Sequence, residues 1–193
     1  MGLKQQTQTS DTEEKVFLFP NWSEWDKWLK TNQNKSNGVW LKIAKKNSGE
    51  KSITISDALD VALCYGWIDS QRKKFDDKYY IQRYSPRGKK SPWSKLNVER
   101  TERLIKSKRM MNNGFAEIEK AKEDGRWNAA YESQKEFKVP DDFKTLLSKN
   151  SKARKFFNSL DKTKQYGIVL PVLKATTPEA RKVLLQKALN KLK

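Results

Sequence analysis

The chain has 193 residues, 36% hydrophobic and 33% charged, and its 41 Lys and Arg against 23 Asp and Glu give a formal charge of +18. It has no histidine and one cysteine, Cys64. This excludes imidazole catalysis, His-ligated metals, an intrachain disulfide and multi-cysteine metal sites. Neither a metal nor another cofactor is therefore expected. A lone thiol suits a reducing compartment and a cytoplasmic protein.

Residues 1–14 are polar and aperiodic and read as a disordered tail. No apolar signal segment opens the chain and no apolar run of membrane-spanning length occurs, so no transmembrane segment is expected. Ser23 with Asp26 resembles a capping box ahead of Trp25, Trp28 and Leu29 on one helical face. Asn37-Gly38 marks a turn into a strand, where Val39, Leu41 and Ile43 alternate with Trp40 and Lys42. Thr54 and Asp57 cap the next helix, which carries Ala58, Leu59, Ala62 and Leu63 and stops at Gly66. WIDSQRKKF, the turn Asp76-Asp77 and KYYIQRY then read as a β-hairpin.

A helix follows over Lys95–Lys108, with Val98, Leu104 and Ile105 apolar. Asn112 or Asn113 caps another, bearing Phe115 and Ile118 and ending at Gly125. Beyond Tyr131 the pattern is helical only. Asp141 begins one helix and Ser151 caps a second. A third runs near Lys162–Lys174, bent or broken at Pro171. The last starts at Thr177-Pro178-Glu179 with Val183, Leu184, Ala188 and Leu189 inward. The expected fold class is α+β: a small mixed or antiparallel sheet with a β-hairpin, packed by helices over 15–135, followed by a C-terminal helical region over 136–193.

The stretch from Tyr84 to Asn97, YSPRGKKSPWSKLN, concentrates positive charge at a sharp turn before a helix start. Arg83 and Arg87 offer planar forks for phosphate or carboxylate oxygens, and Lys89, Lys90 and Lys95 add point charge. Ser91 or Ser94 would cap the helix, aiming free N–H groups toward the same place. Trp93 could stack on a ring. The competing structural role is a docked loop in which Trp93 fills a core gap and the charges are solvated.

Asp69 follows a helix stop in WIDSQR, with Trp67 and Gln71 on its side by strand alternation. It could serve with Tyr84 as the carboxylate of an enzyme site. It could instead pair with Arg72, Arg83 or Arg87, which would depress its pKa and make it a poor base. Cys64, at the C-terminal turn of an apolar helix, lacks what thiolate formation needs and reads as a core residue. Arg126-Trp127 follows a helix stop, and Trp127 reads as a packing residue. The helix face Arg100, Arg103, Lys106 and Lys108 is interrupted by Glu99 and Glu102 and reads as solvated.

Four blocks carry a resemblance: ALDVALCYGWIDSQ (58–71), YYIQRYSPRGKKSPWSKLNVERTERL (79–104), EDGRWNAAY (123–131) and SKARKFFNSL (151–160). Together they resemble the YdeI/OmpD-associated family of bacterial proteins. The resemblance implies a cytoplasmic protein linked with protection from bacteriocins or cationic antimicrobial peptides, and it implies no catalytic set. The tail KATTPEARKVLLQKALNKL has fewer Arg than that family's pattern after Thr-Pro. The residues thus point to a non-enzymatic protein whose basic loop holds an anionic ligand: a nucleic-acid backbone, a phosphorylated metabolite or an acidic protein segment. A charge of +18 should keep it monomeric.

Overall fold

The computed structural model describes residues 15–192, so the expected tail over 1–14 lies outside the described residues. Two compact units divide the chain. One takes the described residues through Lys89 together with Arg100–Lys120, the other Lys90–Glu99 together with the residues from Ala121 onward.

The first unit is built on a four-stranded sheet of order β1-β2-β4-β3: β1 (Val16–Phe17), β2 (Val39–Ala44), β3 (Trp67–Lys74) and β4 (Tyr79–Pro86). β1 runs parallel to β2 and the other pairs are antiparallel, so the sheet is mixed. At two residues β1 is too short for an alternating pattern to announce it. Helix α1 (Trp22–Asn32) begins at Asn21, whose side chain accepts from the Glu24 N–H at 3.1 Å, two residues before the expected cap at Ser23. Asn and Ser cap comparably well, and the buried Trp25 and Leu29 fix the helix face without fixing its start. Helix α2 (Ile55–Cys64) starts as expected, with Thr54 accepting from the Asp57 N–H at 3.0 Å. Gly66 follows its end at φ +72°, a conformation only glycine adopts without strain.

One sheet face packs under α1 and α2. Val39, Leu41 and Ile43 lie on it with Tyr84 and Trp67, and all are buried. The aromatics do much of the packing: Trp25 lies 5.9 Å from Tyr84 and 6.3 Å from Trp67, while Trp28 stands edge-on to Trp67 at 6.1 Å. Trp25 Nε1 donates to the Ala58 carbonyl at 3.1 Å, which ties α1 to α2. Large rings thus supply the buried area that a chain with 36% hydrophobic content needs. Between Asp69 and Arg72 the register of β3 shifts through a bulge. Asp69 stays opposite Tyr84, but Arg72 rather than Gln71 comes opposite Gln82, so the expected pairing of Asp69 and Gln71 on one face is broken.

In the second unit the Trp93 ring meets Trp127 at 4.7 Å. Its main core gathers Phe137, Phe143, Leu147, Ala153, Phe157, Val169, Val172, Ala188 and Leu189 from α5 (Asp141–Ser148), α6 (Ser151–Ser159), α7 (Lys162–Leu173), α8 (Pro178–Asn190) and the segment before them. Asn150 rather than Ser151 caps α6, accepting from the Ala153 N–H at 3.0 Å. Helix α7 is not broken at Pro171. The helix continues through the proline for two more residues, to Leu173. Val183 is 54% exposed rather than inward, and Leu184, Ala188 and Leu189 form the narrower stripe that faces the core. Arg181 grips Asp142 through two bonds of 2.6 and 3.1 Å and donates to the Val172 carbonyl, joining α5, α7 and α8. That hydrogen bond holds the Asp142 carboxyl below its ordinary value.

Candidate anion-binding site

Arg87 leaves the end of β4 with its backbone N–H bonded to the Gly66 carbonyl at 3.0 Å. Its side chain is 7% exposed and lies on the wall of an open cavity of about 280 Å³ in the first unit. Helix α4 (Asn112–Glu123) also lines it, contributing Asn113, Glu117 and Lys120. Gln33 and Asn34, just past α1, complete the rim, and Trp67 sits at the base of the turn.

Close backbone approach makes this arrangement. A Cβ at Gly114 would fall 2.4 Å from the Cys64 carbonyl oxygen, and one at Gly66 would fall 2.9 Å from the Asn113 carbonyl oxygen. Two glycines therefore let α4 rest on the turn after α2, where the Met111 N–H also donates to the Cys64 carbonyl at 3.0 Å. Asn113 is carried to the rim, and its Nδ2 donates to Gln33 Oε1 at 2.9 Å and Asn34 Oδ1 at 3.0 Å. Three amides are thereby clamped together beside one guanidinium and one ammonium. Glu117 is the acid on this wall, and Lys120 Nζ holds it at 2.8 Å. The cavity offers a fixed cation and a set of polar amides, which suits a small anion with hydrogen-bonding edges.

The structure distributes the seven residues of the expected basic loop among different tasks. Arg87 is the one on the cavity wall. Arg83 lies on the sheet, opposite Trp40, with Nη2 donating to the Asn37 carbonyl at 3.4 Å. Lys89 and Lys90 are exposed. Trp93 is 2% exposed against Trp127, and its carbonyl accepts from the Tyr131 N–H at 3.0 Å. Ser94 Oγ accepts from the Asn97 N–H at 3.2 Å, so Ser94 caps helix α3 (Lys95–Lys106). Lys95 pairs with Glu132, and that hydrogen bond raises its pKa. Arg126, 7% exposed, donates to both Asp124 oxygens and to the Ser91 carbonyl, pinning the loop from behind.

Asp69 departs from the expected ion pair with a depressed pKa. Desolvation by burial dominates and pushes its carboxyl up, although Arg72, Arg87 and Arg100 pull the other way as nearby charges. Arg72 bonds Gln82 Oε1 at 3.1 Å instead, and Arg100, expected to be solvated, bonds Asp60 at 2.6 Å and Ser56 at 3.1 Å. Tyr84 is fully buried and its hydroxyl lacks a hydrogen-bond partner, and burial drives its pKa far up. It cannot present an acid to solvent. Cys64 is 2% exposed and burial carries its thiol up to about 11, as a core cysteine requires. Gln33, Asn34, Asn113 and Lys120 went unread in the sequence. The signal available for them was Asn113-Gly114 at a helix start, where glycine is otherwise unfavourable.

An α+β unit with a small mixed sheet, joined in sequence to a helical unit, is the class that these features define. The chain belongs to the family described as a domain of unknown function (DUF8412), whose model matches residues 17–117. The model described as "Bacteriocin-protection, YdeI or OmpD-Associated" matches residues 136–193 and bears out the resemblance read from the sequence. That match contains the block 151–160, the blocks 58–71 and 79–104 lie within the other, and the block 123–131 lies in neither. No curated protein and no solved structure matches the chain. Among the described residues, no helix is long and apolar enough to cross a membrane, and no group of three metal-ligating side chains occurs.

Proposed function

We propose that this is a cytoplasmic, monomeric, non-enzymatic binding protein that holds a small phosphate- or carboxylate-bearing anion against Arg87. The observation that carries this is Arg87, 7% exposed, on the wall of an open cavity that clamped amides also line. A cation held in this way is already oriented, so little side-chain entropy is lost when an anion arrives. The C-terminal family match supports a place for this binding in protection from bacteriocins or cationic antimicrobial peptides. Sensing an anionic metabolite is a role that a small binding domain could play there.

A thermal-shift titration with inorganic phosphate, nucleoside monophosphates and dicarboxylates tests it, because a ligand that binds only the folded state raises Tm with concentration. The shift should vanish in Arg87→Ala and shrink in Lys120→Ala, whose side chain is exposed and whose loss leaves the fold intact. Stability indifferent to every anion would end the proposal. A second function is favoured by the upward-shifted carboxyl of Asp69 in its half-buried place: proton transfer in an enzyme site. It requires a turnover that Asp69→Asn abolishes and Arg87→Ala need not.

A further inference from the structure

The sheet face turned away from α1 and α2 combines aromatic rings and cations in a way that packing alone does not require. Trp40, Lys42, Tyr79 and Arg83 share this face by register, and Lys73 lies on it opposite Ile81. Lys73 Nζ stands 4.7 Å from the Trp40 ring centroid, and Lys42 Nζ stands 4.2 Å from Phe75 and 4.4 Å from Tyr79. Phe75, at the hairpin end, keeps 44% of its surface in solvent. Among the described residues, carboxylates meet this face at that same end: Asp76 is 4.0 Å from Lys42, and Glu50 accepts from the Tyr79 hydroxyl at 3.0 Å. From Phe75 toward Trp40 and Arg83 the described residues of the face are therefore positive, with an exposed ring at the Phe75 end. Trp40 and the residue opposite Tyr79, Ala44, are four positions apart on β2, roughly 13 Å.

We propose that this face binds single-stranded nucleic acid, with Phe75 as the stacking station and Lys42 and Lys73 meeting the phosphates. The charge is complementary to a polyanion, and the flat rings suit unpaired bases, whose π-faces are open to stacking. An acidic peptide would use the lysines but not the rings. A membrane surface would call for several protruding apolar side chains, whereas Trp40 and Tyr79 are buried at 8% and 9% exposure and Phe75 is the one exposed ring of the three. The structural alternative is that the cations of β3 only guard an edge strand against pairing with another chain.

The experiment must separate stacking from bulk charge, because a +18 protein attracts any polyanion. Fluorescence anisotropy with a labelled oligothymidylate of about twelve nucleotides is compared with an abasic oligomer of the same length and charge. The expected result is at least about fivefold tighter binding of the base-bearing strand. Phe75→Ala and Phe75→Leu should both erase that ratio, the leucine keeping an apolar side chain in place. Lys73→Gln should weaken both probes and flatten the salt dependence. Equal affinity for the two probes, a ratio that survives both Phe75 variants, or equal competition by phosphatidylglycerol vesicles would each overturn the proposal.

Discussion

Arg87 and Trp93 stand six positions apart in one basic stretch, and both are nearly removed from solvent, at 7% and 2% exposure. Their uses are opposite. Trp93 packs against Trp127 of its own unit, and its carbonyl accepts from the Tyr131 N–H. Arg87 is buried yet lies on the wall of an open cavity. Burial of an indole removes apolar area from water, whereas a cation placed at a cavity wall still attracts an anion. Equal exposure thus marks scaffold in one residue and site in the other, and neighbouring polar groups make the difference.

The largest expected effect tests the scaffold half. Trp93→Ala should cost about 3 kcal/mol or more in a urea titration, the usual penalty for a large buried aromatic, while phosphate binding per folded molecule stays unchanged. A loss of binding with little loss of stability would invert the comparison. Asn113→Ala sharpens the other half. It unclamps Gln33 and Asn34 and should weaken phosphate about fivefold, the worth of one hydrogen bond near 1 kcal/mol, read by calorimetry.

Two carboxylates provide a contrast in sign. The Asp142 pKa is depressed in the folded state, so its contribution is present above the unfolded value near 3.8 and is lost as pH falls through the lower folded value. Asp142→Asn should therefore destabilise at pH 7 and flatten the acid limb of the stability curve. The Asp69 pKa is raised, so its ionised form is disfavoured by folding and stability recovers as pH falls through the folded value. Asp69→Asn should stabilise at pH 7, and a destabilisation there would point to an ion pair after all. The smallest effect belongs to Lys89 and Lys90. Changing both to Ala should alter stability by less than about 0.5 kcal/mol, as for other exposed positions.

Strongly periodic elements were legible. The Thr54 cap, the hairpin about Asp76-Asp77 and the Thr177 start all stand where residue patterns placed them, because each depends on contacts within a few residues. Elements set by distant contacts were not legible. β1 exists because Phe17 has β2 to pair with and Trp28 to pack on, and no two-residue segment can announce that. The β3 bulge is equally silent in WIDSQR, yet it decides what shares a face with Asp69. At the site, Arg87 was singled out for its charge. Asn113 and Lys120 reach the cavity only because α4 settles on a turn nearly fifty residues earlier in the chain.

That settling makes the cavity a gauge block rather than an adjustable clamp. Its width is set by main chain resting on main chain at Gly66 and Gly114, so side-chain exchanges along α4 can re-letter the walls without moving them apart. A methyl group at position 114 would wedge the helix from its seat and alter every dimension at once. Selectivity here can therefore drift freely in chemistry while the size of molecule admitted stays locked to two hydrogens.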